Sequence, residues 1–172
     1  DKRYFAPRYV SELKKILKKN INSQLLSGGT DLSLLVTKER KDINSTIYMN
    51  SIRELNYIKK NKGYIEVGAT TPLADFEIYI KKYYPDFNKI LKRYGSIQIR
   101  NVATVAGNIA TASPIGDNLP LLLALDSQVV LQSIKKNKIV PINDFFIGYR
   151  KTKLKAGQFI HSIRIPVYDK NI

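Results

Sequence analysis

The chain has 172 residues, of which 44% are hydrophobic, and a formal net charge of +15. This size fits one ordinary domain or two small lobes that share a core, and the hydrophobic fraction argues against a disordered chain. With no cysteine and one histidine, the sequence excludes disulfides, thiol nucleophiles and cysteine-ligated metal sites, and we expect no metal site in it. The longest apolar run, residues 119–125, is far shorter than the ~18 residues of a membrane span, so no membrane partner is expected.

The first part of the chain alternates helical and strand patterns. The predicted elements are a helix over residues 10–17 with Ser11 as its cap and Asn20 as its stop, a strand over 24–26, a helix from Asp31 and a strand over 47–49. This alternation is typical of a small α/β lobe. A change in composition near residues 50–56 places its boundary, so we predict an N-terminal lobe over 1–52 and a larger α+β lobe over 53–172.

The larger lobe contains hairpin signals as well as helical patterns. Its predicted elements are a hairpin joining 57–58 to 64–67, a helix capped by Thr71 that stops near Tyr84, a helix from about Asp86 to Gly95, a buried helix over 119–125, a hairpin joining 129–131 to 139–142 and a strand over 159–165. The expected fold class is therefore α+β.

A glycine loop (residues 28–31) stands where the first short strand gives way to a helix. Glycine permits positive φ and lets a ligand approach the backbone closely, and amides exposed before a helix attract anions. The alternative is a plain tight turn in which Thr30 or Asp31 caps the helix. The local sequence favours neither interpretation over the other.

A small-residue segment (residues 104–120) reads TVAGNIATASPIGDNLP and is almost uncharged in a chain rich in lysine. We interpret it as backbone that must touch a ligand, with a loop at 105–108 and polar groups from Asn108, Thr111 and Ser113. Asp117 offers an acceptor for a sugar hydroxyl, or else caps the next helix. Two such loops favour a long, multiply phosphorylated ligand such as a dinucleotide, although neither the Rossmann nor the P-loop motif occurs.

The high positive charge raises nucleic acid as a partner, and a basic nucleic-acid-binding module is the alternative of a different class. The lysines are spread along the whole chain, however, which favours solvated helix faces over one groove for phosphates. We therefore expect no nucleic-acid partner.

Four long stretches carry a family resemblance: LLSGGTDLSLLVTK, VGATTPLADFE, YGSIQIRNVATVAGNIATASPIGDNLPLLLAL and DFFIGYRKTKLKAGQFIHSIRIP. With them the chain resembles the FAD-binding portion of molybdenum hydroxylases, a two-lobed fold of the PCMH type. Residues 148–152, GYRKT, make it most similar to the small iron–sulfur/FAD subunit of bacterial xanthine dehydrogenases. The family continues into a further lobe that touches FAD, and this sequence ends near Asn171, so the resemblance implies that this lobe is absent.

The resemblance also implies roles for individual residues. The first FAD loop, around the pyrophosphate, would consist of Leu25, Leu26, Ser27, Gly28, Gly29, Thr30, Asp31 and Leu32. The second would contain Thr104, Gly107 and Asn108 with Ser113 nearby, while Tyr94 would contact the flavin region, Asp117 would be an acidic FAD ligand and Ile160 an apolar contact. One departure is Ala106, where the family usually has glycine; its methyl group disfavours positive φ and puts the backbone path there in question.

The activity that the resemblance implies is electron transfer from iron–sulfur clusters through FAD to NAD⁺. The clusters and the molybdopterin would be bound by partner segments or subunits of a cytoplasmic enzyme. A relative acting on an aldehyde, carbon monoxide or an aromatic acid is the alternative within the family. Because the reactive group belongs to the cofactor, we predict no catalytic residue in the chain and assign His161 a packing role.

Overall fold

The computed structural model describes residues 2–168 and mixes helices and strands along the chain, which confirms the α+β class. The strands are β1 (Arg3–Phe5), β2 (Gln24–Leu26), β3 (Ser45–Tyr48), β4 (Ile58–Asn61), β5 (Tyr64–Gly68), β6 (Gln128–Ser133), β7 (Asn137–Pro141), β8 (Phe146–Gly148), β9 (Lys151–Thr152) and β10 (Gln158–Pro166). The helices are α1 (Val10–Lys19), α2 (Leu32–Thr37), α3 (Leu73–Ile80), α4 (Pro85–Leu91), α5 (Ile97–Val102), α6 (Val105–Thr111), α7 (Asn118–Ala124) and α8 (Ile142–Phe145). No helix within residues 2–168 combines the length and apolar character that crossing a bilayer requires.

The strands form two main sheets of different kinds. A three-stranded parallel sheet has the order β1-β3-β2, and a five-stranded antiparallel sheet has the order β4-β5-β10-β6-β7. Strands β8 and β9 pair separately as a short antiparallel ribbon. The parallel sheet lies in the first 48 residues, whereas the antiparallel sheet takes its strands from the remainder of the described chain.

Two hydrophobic clusters accompany these sheets. The smaller one contains Leu13 and Leu17 of α1 and Ile47 of β3, together with Phe159 from the last strand. The larger one fills the space between one face of the antiparallel sheet and helices α3, α4, α6 and α7, and it includes Ile160. Adjoining residues of β10 thus belong to different clusters, and the lobe boundary after residue 52 stays a prediction.

The strand predictions agree well with the structure. Strand 24–26, both hairpins and the terminal strand are present. The two hairpins are specified locally, by alternating apolar residues and by the turns at Gly63 and Lys136. Helix α7 also lies within one residue of its prediction, although Leu122 is its only fully buried leucine.

The predicted caps and ends of the first helices need correction. Helix α1 begins at Val10 with Tyr9 at the cap position, so Ser11 lies inside it. The Thr71 hydroxyl accepts a hydrogen bond from the Tyr57 N–H (3.1 Å) and donates one to the Tyr57 carbonyl (2.9 Å). It therefore binds the residue that precedes β4 and does not cap helix α3. Helix α3 ends at Ile80, four residues early, because the chain turns there before Pro85 opens α4. Helix α4 likewise ends four residues before the predicted stop at Gly95.

A polar cluster lies on the antiparallel sheet around Glu66. Its carboxylate accepts hydrogen bonds from Ser162 Oγ (2.7 Å) and Tyr57 Oη (3.0 Å), and Arg164 Nε lies 3.3 Å from the other oxygen. Burial alone would raise the pKa of Glu66, but these bonds and the Arg164 charge hold that pKa below its ordinary value. Burial also raises the pKa of Tyr57 to about 12 and lowers that of His161, whose ring packs 6.3 Å from the Tyr57 ring.

We expect the protein to lose stability as the pH falls from 7.5 to 4. The pKa values of His161 and Glu66 are both lower in the folded chain than their ordinary values of 6.5 and 4.5, so the unfolded chain binds protons first as the pH falls. Each loss should stay below about 1 kcal/mol because both groups are partly screened by solvent. Urea unfolding at pH 7.5, 5.5 and 4 would measure it. His161→Gln should remove only the loss between pH 7.5 and 5.5, and a flat profile would contradict the prediction.

Candidate functional site

The glycine loop presents backbone donors that the protein itself does not use. Gly29 has φ +72°, a left-handed conformation that favours glycine. Among the hydrogen bonds of residues 2–168, none has the N–H of residues 28, 29, 30 or 31 as its donor. Backbone N–H groups need an acceptor, so these four must bind water or a ligand.

Gly28 brings the glycine loop against the backbone that leads into the small-residue segment. A Cβ at this position would lie 2.0 Å from the carbonyl oxygen of Val102 and 2.8 Å from Cα of Ala103. On its other side, Ala103 accepts a 2.8 Å hydrogen bond from the N–H of Leu73 at the start of α3. The backbone that leads into the small-residue segment is therefore held between α3 and the glycine loop.

An open cleft of about 590 Å³ lies between the glycine loop and α5. Besides residues 26–30 it is lined by Ser33, Tyr48, Asn50, Ile99 and Val102. Helix α5 buries none of its residues, and Ile99 and Val102 remain 38% and 44% exposed. The cleft thus has one wall of free backbone donors and one apolar wall, a combination typical of small-molecule sites of ~300–1,000 Å³.

The predicted loop at residues 105–108 is instead the first turn of helix α6. The Thr104 hydroxyl caps this helix by accepting from the N–H of Gly107 at 3.0 Å. Ala106 is helical and buried in the larger cluster, so its methyl group packs in the core and no positive φ is required there. At Gly107 a Cβ would meet only the Thr104 hydroxyl within 4 Å, so this side of the helix is open.

Tyr94 is held by a chain of amide side chains. Asn118, which is fully buried, donates from Nδ2 to Asn108 Oδ1 (3.4 Å), and Asn108 Nδ2 donates to Tyr94 Oη (3.1 Å). Burial raises the pKa of Tyr94, with the negative charges of Asp117 and Asp31 adding to the effect. The tyrosine therefore stays protonated. Its oxygen accepts a bond from Asn108, and among the hydrogen bonds of residues 2–168 its own proton has no acceptor.

The helix-cap alternatives for the two aspartates do not hold. Asp31 precedes α2 and Asp117 precedes α7, but neither side chain makes a capping hydrogen bond. Asp117 is exposed. Asp31 pairs with Arg150, whose Nη1 and Nη2 lie 3.3 Å from Oδ2 and Oδ1.

The remaining predicted residues differ in how deeply they are buried. Leu25 packs on the smaller cluster, Leu32 begins α2, Ser113 is buried in the turn after α6, and Ile160 is a buried member of the larger cluster. Ser27 donates from Oγ to Asn50 Oδ1 at 2.6 Å and so fixes one cleft residue. The ligand contacts of all these residues stay predictions.

Sequence reasoning did not identify the apolar wall of the cleft or the partner of Asp31. In the sequence, Ile99 and Val102 look like core residues. The one available signal was that they share a six-residue helix with Arg100, whose side chain is only 13% exposed, so that the two apolar residues could face solvent. Arg150 stands in the GYRKT string, but no local pattern connects it with a loop 119 residues away.

Comparison with known proteins identifies relatives over nearly the whole chain. A sequence profile described as "FAD binding domain in molybdopterin dehydrogenase" matches residues 1–168. Xanthine dehydrogenase of Emericella nidulans is 32% identical over 176 residues, which cover 96% of this chain and 13% of that protein. The nicotinate dehydrogenase FAD-subunit of Eubacterium barkeri is 30% identical over 172 residues, covering 96% and 58%. The chain thus spans less than two thirds of either relative.

Solved structures show the same fold. Carbon monoxide dehydrogenase from Hydrogenophaga pseudoflava, in a form that lacks the Mo-pyranopterin moiety, superposes with a TM-score of 0.92 at 27% identity, covering 98% of this chain and 60% of that one. Quinoline 2-oxidoreductase from Pseudomonas putida 86 superposes with a TM-score of 0.91 at 23% identity and the same coverage.

Proposed function

Because this chain belongs to the family of FAD binding domains in molybdopterin dehydrogenases, we propose that it is the electron-transfer module of a xanthine dehydrogenase-like molybdenum hydroxylase. In this proposal FAD lies in the cleft between the glycine loop and α5. The observation that carries it is the set of unused backbone donors at residues 28–31 on the wall of that cleft. The two proposed lobes would each supply one wall, since the loop precedes residue 52 and α5 follows it.

The residues of the cleft fit a dinucleotide. A pyrophosphate carries oxygens that accept several N–H bonds at once, and Gly28 and Gly29 leave no side chain between it and the backbone. Ile99 and Val102 offer an apolar surface for a flat ring. The cleft of about 590 Å³ lies within the size range of cofactor sites.

The side chains around Tyr94 would orient the ligand through fixed hydrogen-bond directions. Asn108 occupies one lone pair of the Tyr94 oxygen, so the hydroxyl proton has one role, donation to an acceptor in the site. Asp117 is exposed and accepts from sugar hydroxyls in this proposal. Bound FAD supplies the redox chemistry, because it accepts electrons singly or in pairs.

The partners follow from the same proposal. The iron–sulfur clusters and the molybdopterin would reside on other segments or subunits of the enzyme, and NAD⁺ would be the final acceptor. The xanthine dehydrogenase assignment is supported by the Emericella relative and by the GYRKT string at residues 148–152. A nicotinate dehydrogenase FAD-subunit is also among the relatives, so another hydroxylase substrate is the second candidate.

A calorimetric titration of the chain with FAD, at a salt concentration that screens its charge, tests the proposal. We expect saturable one-to-one binding and no comparable response to a short DNA duplex. Gly29→Val should weaken binding by about tenfold or more, because its side chain would strain a loop with φ +72° and cover the donors.

The matched control is Gly63→Val. Gly63 has φ +80° and open space around it in the β4–β5 turn, so the backbone strain is similar but the cleft is untouched. This variant should lose comparable stability and keep wild-type FAD affinity. Equal loss of affinity in both variants, or no saturable binding by the wild-type chain, would contradict the proposed site.

A further inference from the structure

We propose that Arg150 is a further residue of the phosphate-binding site: its guanidinium neutralises Asp31 and offers its remaining donors to a phosphate of the ligand. The inference rests on the proposed function, because it assumes a dinucleotide at the glycine loop. It assigns a ligand role to the β8–β9 turn. No pattern in the sequence links this turn to the glycine loop.

The geometry of the pair supports a shared role. Arg150 Nη1 and Nη2 each lie 3.3 Å from one oxygen of Asp31, so the two planar groups face each other. A guanidinium has five N–H donors. Among the hydrogen bonds of the described residues, Arg150 uses only two for this contact, which leaves donors on the same rigid plane for a second anion.

Electrostatics explains why the loop needs this arginine. Asp31 carries one of the four unused N–H groups, so its carboxylate lies beside the place where a pyrophosphate would bind. Asp117 adds another negative charge near Tyr94. A carboxylate beside an anion opposes its binding, and the facing guanidinium cancels the charge of Asp31. The Asp31 carboxylate in turn raises the pKa of Arg150, which keeps it charged.

The backbone conformation of Arg150 also supports a ligand role. Its φ is +51°, in the left-handed region where a long side chain is disfavoured and where glycine costs nothing. Such strain is found where function requires the side chain. A glycine here would relax the turn and remove the guanidinium, so stability and ligand affinity should respond in opposite directions.

The test compares Arg150→Gly, Arg150→Gln and Arg150→Lys in the full chain by calorimetric titration with FAD at low and high salt. We expect dissociation constants about 10–100-fold above wild type for the first two variants, with partial rescue by lysine, which keeps the charge but not the fork. The thermal midpoint of Arg150→Gly should equal or exceed that of the wild type. Lys155→Gln, which removes one exposed charge from the same region, is the control and should bind as the wild type does.

A second comparison separates two effects of Arg150: cancelling the charge of Asp31, and attracting the phosphate directly. Asp31→Asn removes the charge that Arg150 cancels, so Arg150→Gln should cost less affinity in that background than alone. Wild-type affinity in Arg150→Gln, or an equal loss in Lys155→Gln, would overturn the inference and leave the proposed function standing. A wild-type chain without FAD binding would overturn the proposed function and this inference with it.

Discussion

Replacing Gly28 by alanine should lower the free energy of unfolding by about 2–4 kcal/mol and raise the dissociation constant for FAD about tenfold or more. The added methyl group would lie 2.0 Å from the Val102 carbonyl oxygen and 2.8 Å from the Ala103 Cα, both of them backbone atoms. A flexible side chain could move aside, but the backbone of Val102 and Ala103 cannot, because the hydrogen bond from the N–H of Leu73 to the Ala103 carbonyl also holds it in place. The glycine loop must therefore shift away from α5 and change the cleft.

The control for this prediction is Gly68→Ala. Its methyl group would meet the Leu55 carbonyl oxygen at 2.2 Å, an equally severe backbone contact at a residue that does not line the cleft. Urea unfolding should show similar losses of stability in the two variants, while titration with FAD should show weak binding only for Gly28→Ala. A Gly28→Ala protein with wild-type stability would mean that the glycine loop does not contact the backbone of Val102 and Ala103 in solution.

The second large effect is expected for Glu77→Gln, which should lower the free energy of unfolding by about 2–4 kcal/mol. Its carboxylate lies 3.1 Å from Arg100 Nε, and the two side chains are only 14% and 13% exposed. The Nε–H is not aligned with the carboxylate, so the contact is ionic and not a hydrogen bond. Removing its negative partner leaves a nearly buried guanidinium, and the cost reflects that uncompensated charge.

This ion pair also matters for the site. Arg100 Nη1 donates to the carbonyl oxygens of Tyr94 (3.1 Å) and Gly95 (2.9 Å), so it fixes the turn that carries Tyr94. We expect weaker FAD binding in Glu77→Gln as well as lower stability.

The comparison variant is Asp86→Asn, which breaks the 2.8 Å contact with Lys89. Those side chains are 90% and 75% exposed, and a solvent-exposed pair of this kind contributes little to stability. Chemical unfolding of both variants measures the difference. Equal and small effects would show that solvent reaches Arg100 freely.

The small-residue segment illustrates how far local sequence reasoning reaches. Its lack of charge marks it as unusual, and its small residues predict a loop at residues 105–108. In the structure, Ala106 and Ile109 pack in the larger cluster and Thr104 caps the helix. Small residues there let a helix approach the sheet closely while one side of Gly107 stays open.

Other features depend on contacts between distant parts of the chain and could not be predicted from pattern. The apolar face of α5 became informative only when the fold placed it opposite the glycine loop. The Asp31–Arg150 pair likewise joins residues 119 positions apart. The two hairpins were predictable because their hydrogen bonds join near neighbours in the sequence.

Strand β10 imposes a mechanical constraint on the molecule. Its adjoining residues Phe159 and Ile160 are anchored in the smaller and the larger cluster, respectively. A hinge motion that swung one cluster away from the other would have to pull one of these side chains out of its packing. Ligand exchange would then depend on local movement of the glycine loop and the β8–β9 turn, and the two clusters should melt in a single cooperative transition.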